Sequence, residues 1–127
     1  MATPADAAPR VVDEAGQAGA KAAIVVSGGF AEVGRRDLEE ELVKSARRHG
    51  VRVTGPNCIG VYNAFNGMDT MCLPAEKAGR PPPGPIAFLS QSGALMIAVL
   101  DWAAGEGIGV GIAVNFGNRS DVTKSDS

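Results

Sequence analysis

The sequence has few of the residues that build disulfide frameworks or metal sites. Among its 127 residues are two cysteines, Cys58 and Cys72, and one histidine, His49. Two cysteines do not form a disulfide framework, and these three side chains make a poor zinc site. We therefore expect neither a disulfide-stabilised scaffold nor a bound metal.

Long apolar runs and an excess of one charge are also missing. No stretch reaches the roughly 18 apolar residues of a membrane span, and the first residues lack a basic region followed by an apolar run. The net charge is −2, and lysine and arginine are scattered along the chain. These absences predict a cytoplasmic protein that binds neither nucleic acid nor a membrane surface.

What the sequence does contain is typical of a globular protein with many tight turns. Apolar residues make up 45% and charged residues 20% of the chain, and 17 residues are glycine and eight are proline. This composition excludes a disordered chain. Frequent glycine turns are a feature of α/β folds that bind phosphate. The length fits one domain, with two incomplete domains as the alternative.

A strand-turn-helix pattern lies in the second half of the chain. The apolar residues 86–89 have the length of a strand, a Ser-Gln-Ser-Gly turn follows at 90–93, and the apolar run to Trp102 predicts a buried helix. A helix that begins at Ser92 or Gly93 presents unpaired N–H groups and a positive dipole end, which favour a phosphate or carboxylate. Ser92 is either the N-cap alone or a ligand to that anion.

Two further strands end in polar, glycine-containing turns. The run 21–26 is apolar on consecutive positions, which is typical of a parallel strand covered on both faces. Ligands bind beyond the carboxyl ends of such strands. The turn at this end contains Val26, Ser27 and Gly28, and it either binds a ligand or serves only to reverse the chain.

The strand 51–54 ends in the same way, at the turn 55–60. Asn57 there offers both a hydrogen-bond donor and an acceptor. Cys58 either lines a pocket for a thiol or acyl group or is a small buried apolar residue. Helices are predicted over 4–17 and from Asp37 to the stop at Gly50, which makes His49 a solvated residue at a helix end.

Five short motifs then occur in a familiar order and spacing. They are Ser-Gly-Gly-Phe at 27–30, Gly-Pro-Asn-Cys-Ile-Gly at 55–60, Ile-Ala-Phe-Leu-Ser-Gln-Ser-Gly-Ala-Leu at 86–95, Asp-Trp-Ala-Ala at 101–104 and Gly-Asn-Arg-Ser-Asp-Val at 117–122. Together they resemble the NDP-forming acyl-CoA synthetases, relatives of the succinyl-CoA synthetase α subunit, and especially the ADP-forming acetate-CoA ligases.

The resemblance implies a fold, a reaction and its cofactors. It implies an α/β protein in which residues 1–80 form the second half of a Rossmann-like coenzyme A (CoA) domain. Residues 81–85 would be a proline-rich linker, and 86–127 the start of a flavodoxin-like domain. The family interconverts acyl-CoA and phosphate with a small free carboxylic acid through an acyl phosphate. A phosphohistidine relays the phosphoryl group to ADP, and ATP or ADP with Mg²⁺ binds on an ATP-grasp domain or β subunit.

The resemblance also assigns residues. Val26, Ser27 and Gly28 fall on the strand end that meets CoA, and Asn57 and Cys58 on the loop beside its thiol and the acyl group. The phosphate or phosphohistidine would meet the helix terminus, at Ser92 and Gly93. Ile97 stands where the succinyl branch has an aromatic residue near the acid, which favours a monocarboxylate.

Two parts of the family pattern are missing from these 127 residues. They are the first βαβ unit with its glycine turn and the phosphorylated histidine, for which His49 is no substitute. The expectation is an internal segment of an enzyme, inactive by itself. The alternative is a non-catalytic CoA- or nucleotide-binding module. A Rossmann dehydrogenase is less favoured, because no strand is followed by Gly-x-Gly-x-x-Gly with an acidic residue about 20 positions later.

Overall fold

Helices and strands alternate along the chain, and they group into two units. The computed structural model describes residues 1–123. The first unit contains residues 1–58 and the described residues from 116 onward, and the second contains residues 59–115. The helices are α1 (Ala8–Gln17), α2 (Arg36–Arg48) and α3 (Gly93–Gly105). The strands are β1 (Ala22–Ile24), β2 (Arg52–Thr54), β3 (Val61–Asn63), β4 (Met68–Asp69), β5 (Ile86–Ser90) and β6 (Val110–Asn115).

In the first unit, β1 and β2 pair in parallel, with Ala22 opposite Arg52. This confirms the predicted parallel pairing. Full burial of β1 was predicted wrongly, because Ala22 is exposed and Ile24 only half-buried. A two-stranded sheet with two helices that lie side by side does not provide a covering layer on both faces. The core of this unit consists of residues from the helices, the strands and the loop after β1: Ala8, Val12, Val25, Phe30, Leu38, Leu42, Ala46, Val51 and Val53.

Asp13 joins the two helices of this unit at their ends. Its carboxylate lies 2.6 Å from the Arg48 guanidinium and 3.0 Å from His49 Nε2, and it also accepts a hydrogen bond from Gln17. His49 was predicted to be a solvated residue at a helix end. It does follow α2, but it is only partly exposed and lies against Asp13 and Gly16.

The pKa of Asp13 leads us to expect a change in folding stability in acid. The hydrogen bond from His49 lowers the pKa of this carboxyl below 3.8, although burial opposes the shift. A lowered folded-state pKa means that the stabilisation is present above the unfolded pKa and is lost as the pH falls through the folded value. In urea titrations at several pH values, Asp13→Asn should lose less stability below about pH 4 than the wild type. An unchanged pH profile would contradict this, and Glu41→Gln, at an exposed position on α2, is the control.

The residues after β6 return to β2 and extend the first unit. Val122 donates its N–H to the Val53 carbonyl at 3.0 Å. The Asp121 carboxylate accepts hydrogen bonds from the Val53 N–H at 2.8 Å and from Arg52 Nε at 2.9 Å. The motif at 117–122 thus lies beside β2 and hydrogen-bonds to it.

The second unit contains a four-stranded sheet in the order β4-β3-β6-β5. β5 and β6 are parallel and are connected through α3, whereas β3 is antiparallel to both β6 and β4. The α/β class is confirmed, but this sheet is mixed and not purely parallel. The sequence predicted only a short strand near Val61, because β3 and β4 are two or three residues long and carry little periodicity.

α3 begins and runs as predicted, but it is not buried all round. Met96, Leu100 and Ala103 are buried on the sheet, whereas the side chains of Leu95 and Trp102 are 54% and 60% exposed. The prediction of a buried helix was therefore wrong for one face. An apolar sequence does not show which of its faces the neighbouring elements cover.

The proline-rich segment before β5 lies within the second unit. Pro81 is buried and its carbonyl accepts a hydrogen bond from the Tyr62 hydroxyl at 2.6 Å. The Pro82 carbonyl accepts the Val110 N–H at 2.9 Å. The bounds of these compact units thus differ from the predicted domains 1–80 and 86–127. The predicted domains refer to the family's domain division and stay a prediction.

Candidate functional site

The loops after β1 and β2 meet at one edge of the first unit. The Val25 N–H donates to the Thr54 carbonyl at 2.9 Å, and beyond the strands the Asn57 N–H donates to the Ser27 carbonyl at 2.8 Å. Since both strands point the same way, their carboxyl ends open on the same side. The structure therefore brings together the five residues predicted to meet CoA: Val26, Ser27, Gly28, Asn57 and Cys58.

The first residues of the chain hold the loop after β1. The Val26 N–H donates to the Met1 carbonyl at 3.0 Å, and the Ser27 hydroxyl donates to the Thr3 carbonyl. Both residues are half-buried, whereas Gly28 is exposed. A Cβ at Gly28 would lie 3.2 Å from Glu32 Oε1 and 3.3 Å from Asn57 Oδ1, so the side chains of two other loop residues come close to this glycine.

In the loop after β2, the two predicted residues take different positions. Asn57 is exposed, with a φ of 56°, and its Nδ2 lies 3.3 Å from Asn118 Oδ1. The Cys58 side chain is buried, and Sγ donates to the Val25 carbonyl at 3.3 Å. Of the two interpretations of Cys58, the structure shows the small buried residue.

The sequence did not indicate Glu32, whose carboxylate lies over the glycine turn. Its Oε1 accepts hydrogen bonds from the N–H groups of Gly29 at 2.5 Å and Phe30 at 3.2 Å, and its Oε2 from Asn118 Nδ2 at 2.6 Å. Burial raises the pKa of Glu32, but these hydrogen bonds outweigh it and the net shift is downward. The negatively charged Glu32 carboxylate therefore already accepts the two N–H groups that could bind a phosphate at this turn. It would also repel a second anion there.

The start of α3 lies in the second unit and contains the other two predicted residues. The Ser92 hydroxyl accepts the Leu95 N–H at 3.2 Å, so Ser92 is an N-cap, and it is exposed. Within residues 1–123, the N–H groups of Gly93 and Ala94 have no hydrogen-bond partner. A side chain at 93 would place its Cβ 2.8 Å from Ile59 Cγ2, which explains the glycine. The helix start keeps two free donors for an anion.

Asn115, at the end of β6, holds this turn in place. It is fully buried, donates through Nδ2 to the Ser90 carbonyl at 3.0 Å and accepts the Ile59 N–H at 2.8 Å. Ser90 in turn accepts the Ser92 N–H through its hydroxyl at 3.0 Å. A polar residue at the end of an apolar strand, followed by a turn, is a signal that sequence reasoning could have used for Asn115.

Residues 1–123 contain neither a cluster of metal ligands nor a membrane-spanning helix. No three of the His, Cys, Asp and Glu side chains in this range group in a way that could hold a metal ion. No helix in the same range has the length and apolar character needed to cross a membrane.

Sequence models of two families match the chain. The model described as the CoA binding domain matches residues 1–64, and the one described as the succinyl-CoA ligase like flavodoxin domain matches residues 83–127. The chain belongs to the CoA-binding domain family. The CoA-binding match includes both loops of the first unit, and the flavodoxin-like match includes the start of α3.

Named relatives agree with this family. Acetate–CoA ligase (ADP-forming) I of Archaeoglobus fulgidus is 41% identical over 99% of the chain, which covers 18% of that protein. The alpha subunit of acetate–CoA ligase (ADP-forming) I of Pyrococcus furiosus is 38% identical over 99% of the chain, which covers 27% of that subunit. The predicted resemblance to ADP-forming acetate-CoA ligases is thereby confirmed, and the chain spans about a quarter or less of these relatives.

A solved structure supports the same fold. It is the Ca. Korarchaeum cryptofilum dinucleotide forming acetyl-coenzyme A synthetase 1 in complex with phosphate and ADP. It is 40% identical to this chain with a TM-score of 0.88, and the match covers 98% of this chain and 26% of that one. This chain therefore shares its backbone arrangement with part of that acetyl-coenzyme A synthetase.

Proposed function

We propose that this chain is a segment of an NDP-forming acyl-CoA synthetase and supplies its CoA- and phosphate-binding loops. The parent enzyme would convert a small carboxylic acid, CoA and ATP into acyl-CoA, ADP and phosphate, in the cytoplasm. The observation that supports the CoA part is the bond from Asn57 N–H to the Ser27 carbonyl, 2.8 Å long, which joins two strand-end loops inside the CoA-binding match.

The residues of these loops suit the uncharged part of CoA. Gly28 is exposed beside the Glu32 and Asn57 side chains, and Asn57 is exposed with an amide that donates and accepts. The Glu32 carboxylate on the neighbouring amides disfavours a phosphate at that point. The fit is therefore to the amide-containing arm that ends in the thiol. When bound, CoA supplies that thiol as the nucleophile toward an activated acyl group.

The start of α3 would bind phosphate in the same reaction. When the CoA thiol, after losing its proton, attacks the carbonyl carbon of an acyl phosphate as the thiolate, the C–S bond forms, the C–O bond to phosphate breaks, and phosphate leaves. The free N–H groups of Gly93 and Ala94 and the helix dipole suit that anion. Earlier in the same reaction, a phosphohistidine on another segment would relay the phosphoryl group from ATP to the carboxylic acid, leaving ADP, with the nucleotide and Mg²⁺ bound on an ATP-grasp domain or β subunit.

Replacing Gly28 tests the CoA proposal. Gly28→Val should weaken CoA binding at least about tenfold in a calorimetric titration, because the branched side chain keeps the ligand away from the backbone. Gly105→Val is the matched control. Gly105 has open space around it, lies in the second unit and should leave the affinity unchanged. Equal CoA affinity in the wild type and Gly28→Val would reject this loop as the site.

The phosphate proposal has a separate test. Ser92→Asp keeps an N-capping side chain but fixes a negative charge where the anion would lie. We expect phosphate binding to weaken by about tenfold or more, measured by shifts of the Gly93 and Ala94 amide signals in NMR titrations. Ser92→Asn, which caps without a charge, should bind as the wild type does. Equal shifts in the Asp and Asn variants would count against the site.

A further inference from the structure

A groove along α2 is not used by the proposed function. It has a volume of about 360 Å³ and lies within the first unit. Its walls come from the outer face of α2, the turn after the glycine loop and the segment beside β2. The lining residues are Ala31, Arg36, Glu39, Glu40, Val43, Lys44, Arg47 and Ser120. We refer to it as the α2 groove.

Three cations of the α2 groove have no partner among the described residues. Within residues 1–123, Arg36, Lys44 and Arg47 form no ion pair and no side-chain hydrogen bond. Four other arginines of the same unit are paired with carboxylates, Arg10 with Glu14, Arg35 with Asp6, Arg48 with Asp13 and Arg52 with Asp121, whereas Arg119, outside the groove, forms no ion pair within residues 1–123. The α2 groove therefore differs from the rest of this unit in collecting cations that are available to an external anion.

The spacing of these cations places them along one side of the helix. Lys44, eight positions after Arg36, lies about 80° around the helix from it, and Arg47 lies eleven positions after Arg36, which returns it to nearly the same face at 3.6 residues per turn. Over that distance the helix rises about 16 Å. Val43 and Ala31 add apolar surface to the same groove. A ligand with more than one negative group can thus meet cations at both ends of the groove.

The carboxylates of the groove do not neutralise all three cations. Glu39 is engaged elsewhere, because it accepts hydrogen bonds from the Ala31 N–H at 3.1 Å, Asn118 Nδ2 at 2.8 Å and the Ser120 hydroxyl at 2.5 Å. Glu40 is exposed on the same face of α2 and is the other carboxylate of the groove. Three cations thus face two carboxylates, one of which is occupied by its own hydrogen bonds.

We propose that the α2 groove binds a small molecule that carries two or more phosphate groups. Arginine and lysine form their strongest hydrogen bonds with phosphate and carboxylate oxygens. The volume lies within the range of sites for small ligands. Such phosphates belong to a free nucleotide or to the nucleotide part of CoA.

The test is a titration of the whole chain with inorganic pyrophosphate, ADP and CoA in separate arms. The double variant Lys44→Gln/Arg47→Gln should weaken pyrophosphate binding at least about tenfold. Lys21→Gln, which removes an exposed and unpaired lysine outside the groove, should leave it unchanged. Glu40→Gln should strengthen binding about two- to threefold, because it removes a repulsive charge. Altered folding would not be expected to weaken pyrophosphate binding in the double variant and strengthen it in Glu40→Gln, since both changes lie on the same face of α2.

The three arms distinguish the source of the phosphates. If the double variant weakens the binding of both ADP and CoA, the groove is a shared nucleotide site. If it weakens the binding of CoA alone, the groove binds the phosphate that CoA has and ADP lacks. Pyrophosphate that does not saturate the wild type, or that binds all variants equally, would overturn the proposal. The result is separable from the proposed function, since Gly28→Val should change CoA binding at the loop and leave pyrophosphate binding unchanged.

Discussion

Replacing Gly55 with alanine should strongly destabilise the first unit. Gly55 has a φ of 101°, and a Cβ there would lie 2.4 Å from the Val25 carbonyl oxygen. The left-handed backbone costs about 1–2 kcal/mol for a residue with a side chain. The overlap is with backbone, which cannot rotate away, and overpacking adds about 1–3 kcal/mol. We expect a loss of about 3 kcal/mol or more, a large part of the stability of a small domain.

Gly50→Ala separates the two causes. Gly50 also has a positive φ, of 67°, but no atom lies within 4 Å of its Cβ position. It should lose only the backbone term of about 1–2 kcal/mol. Urea unfolding followed by circular dichroism measures both variants. Equal losses would show that the close approach of the loop after β2 to Val25 is not as tight as described, and would weaken the argument that these loops form one site.

Asn115→Ala should have the largest effect in the second unit. Asn115 is fully buried, and its removal leaves the Ser90 carbonyl and the Ile59 N–H without the bonds of 3.0 and 2.8 Å that they make to its amide. An unsatisfied buried polar group costs about 1–3 kcal/mol, so the sum for two is about 2–6 kcal/mol. The turn at Ser92 should also lose its fixed geometry.

Asn66→Ala is the matched control for Asn115. Asn66 is exposed in the same unit and accepts a single backbone hydrogen bond, from the Met68 N–H at 3.0 Å. It should cost less than about 1 kcal/mol. The free energy of unfolding from urea titrations measures both variants. A similar small loss for the two would contradict the role assigned to Asn115.

Local sequence patterns predicted the elements that carry the site. The N-cap at Ser92 and the start of α3 at Gly93 follow from a serine before a long apolar run. The parallel pair of β1 and β2 follows from two apolar runs separated by an amphipathic helix. These features depend on neighbours a few residues apart, which the sequence displays directly.

The contacts that finish the site join distant parts of the chain and were missed. Asn118 reaches Glu32, 86 residues away, and Asn115 reaches Ile59, 56 residues away. Neither Glu32 nor Asn118 carries a periodic or motif signal that names its partner. Which face of α3 is covered could not be predicted for a similar reason, since the helix is apolar on all sides and the packing decides.

The measurement that tests the central claim most directly is hydrogen–deuterium exchange of the whole chain with and without CoA. The claim is that the loops at 26–28 and 57–58 bind CoA together. Exchange at both loops should slow in the presence of saturating CoA, while exchange in α1 stays unchanged. Saturable binding of CoA with no added protection in either loop would contradict the account, as would protection confined to other parts of the chain.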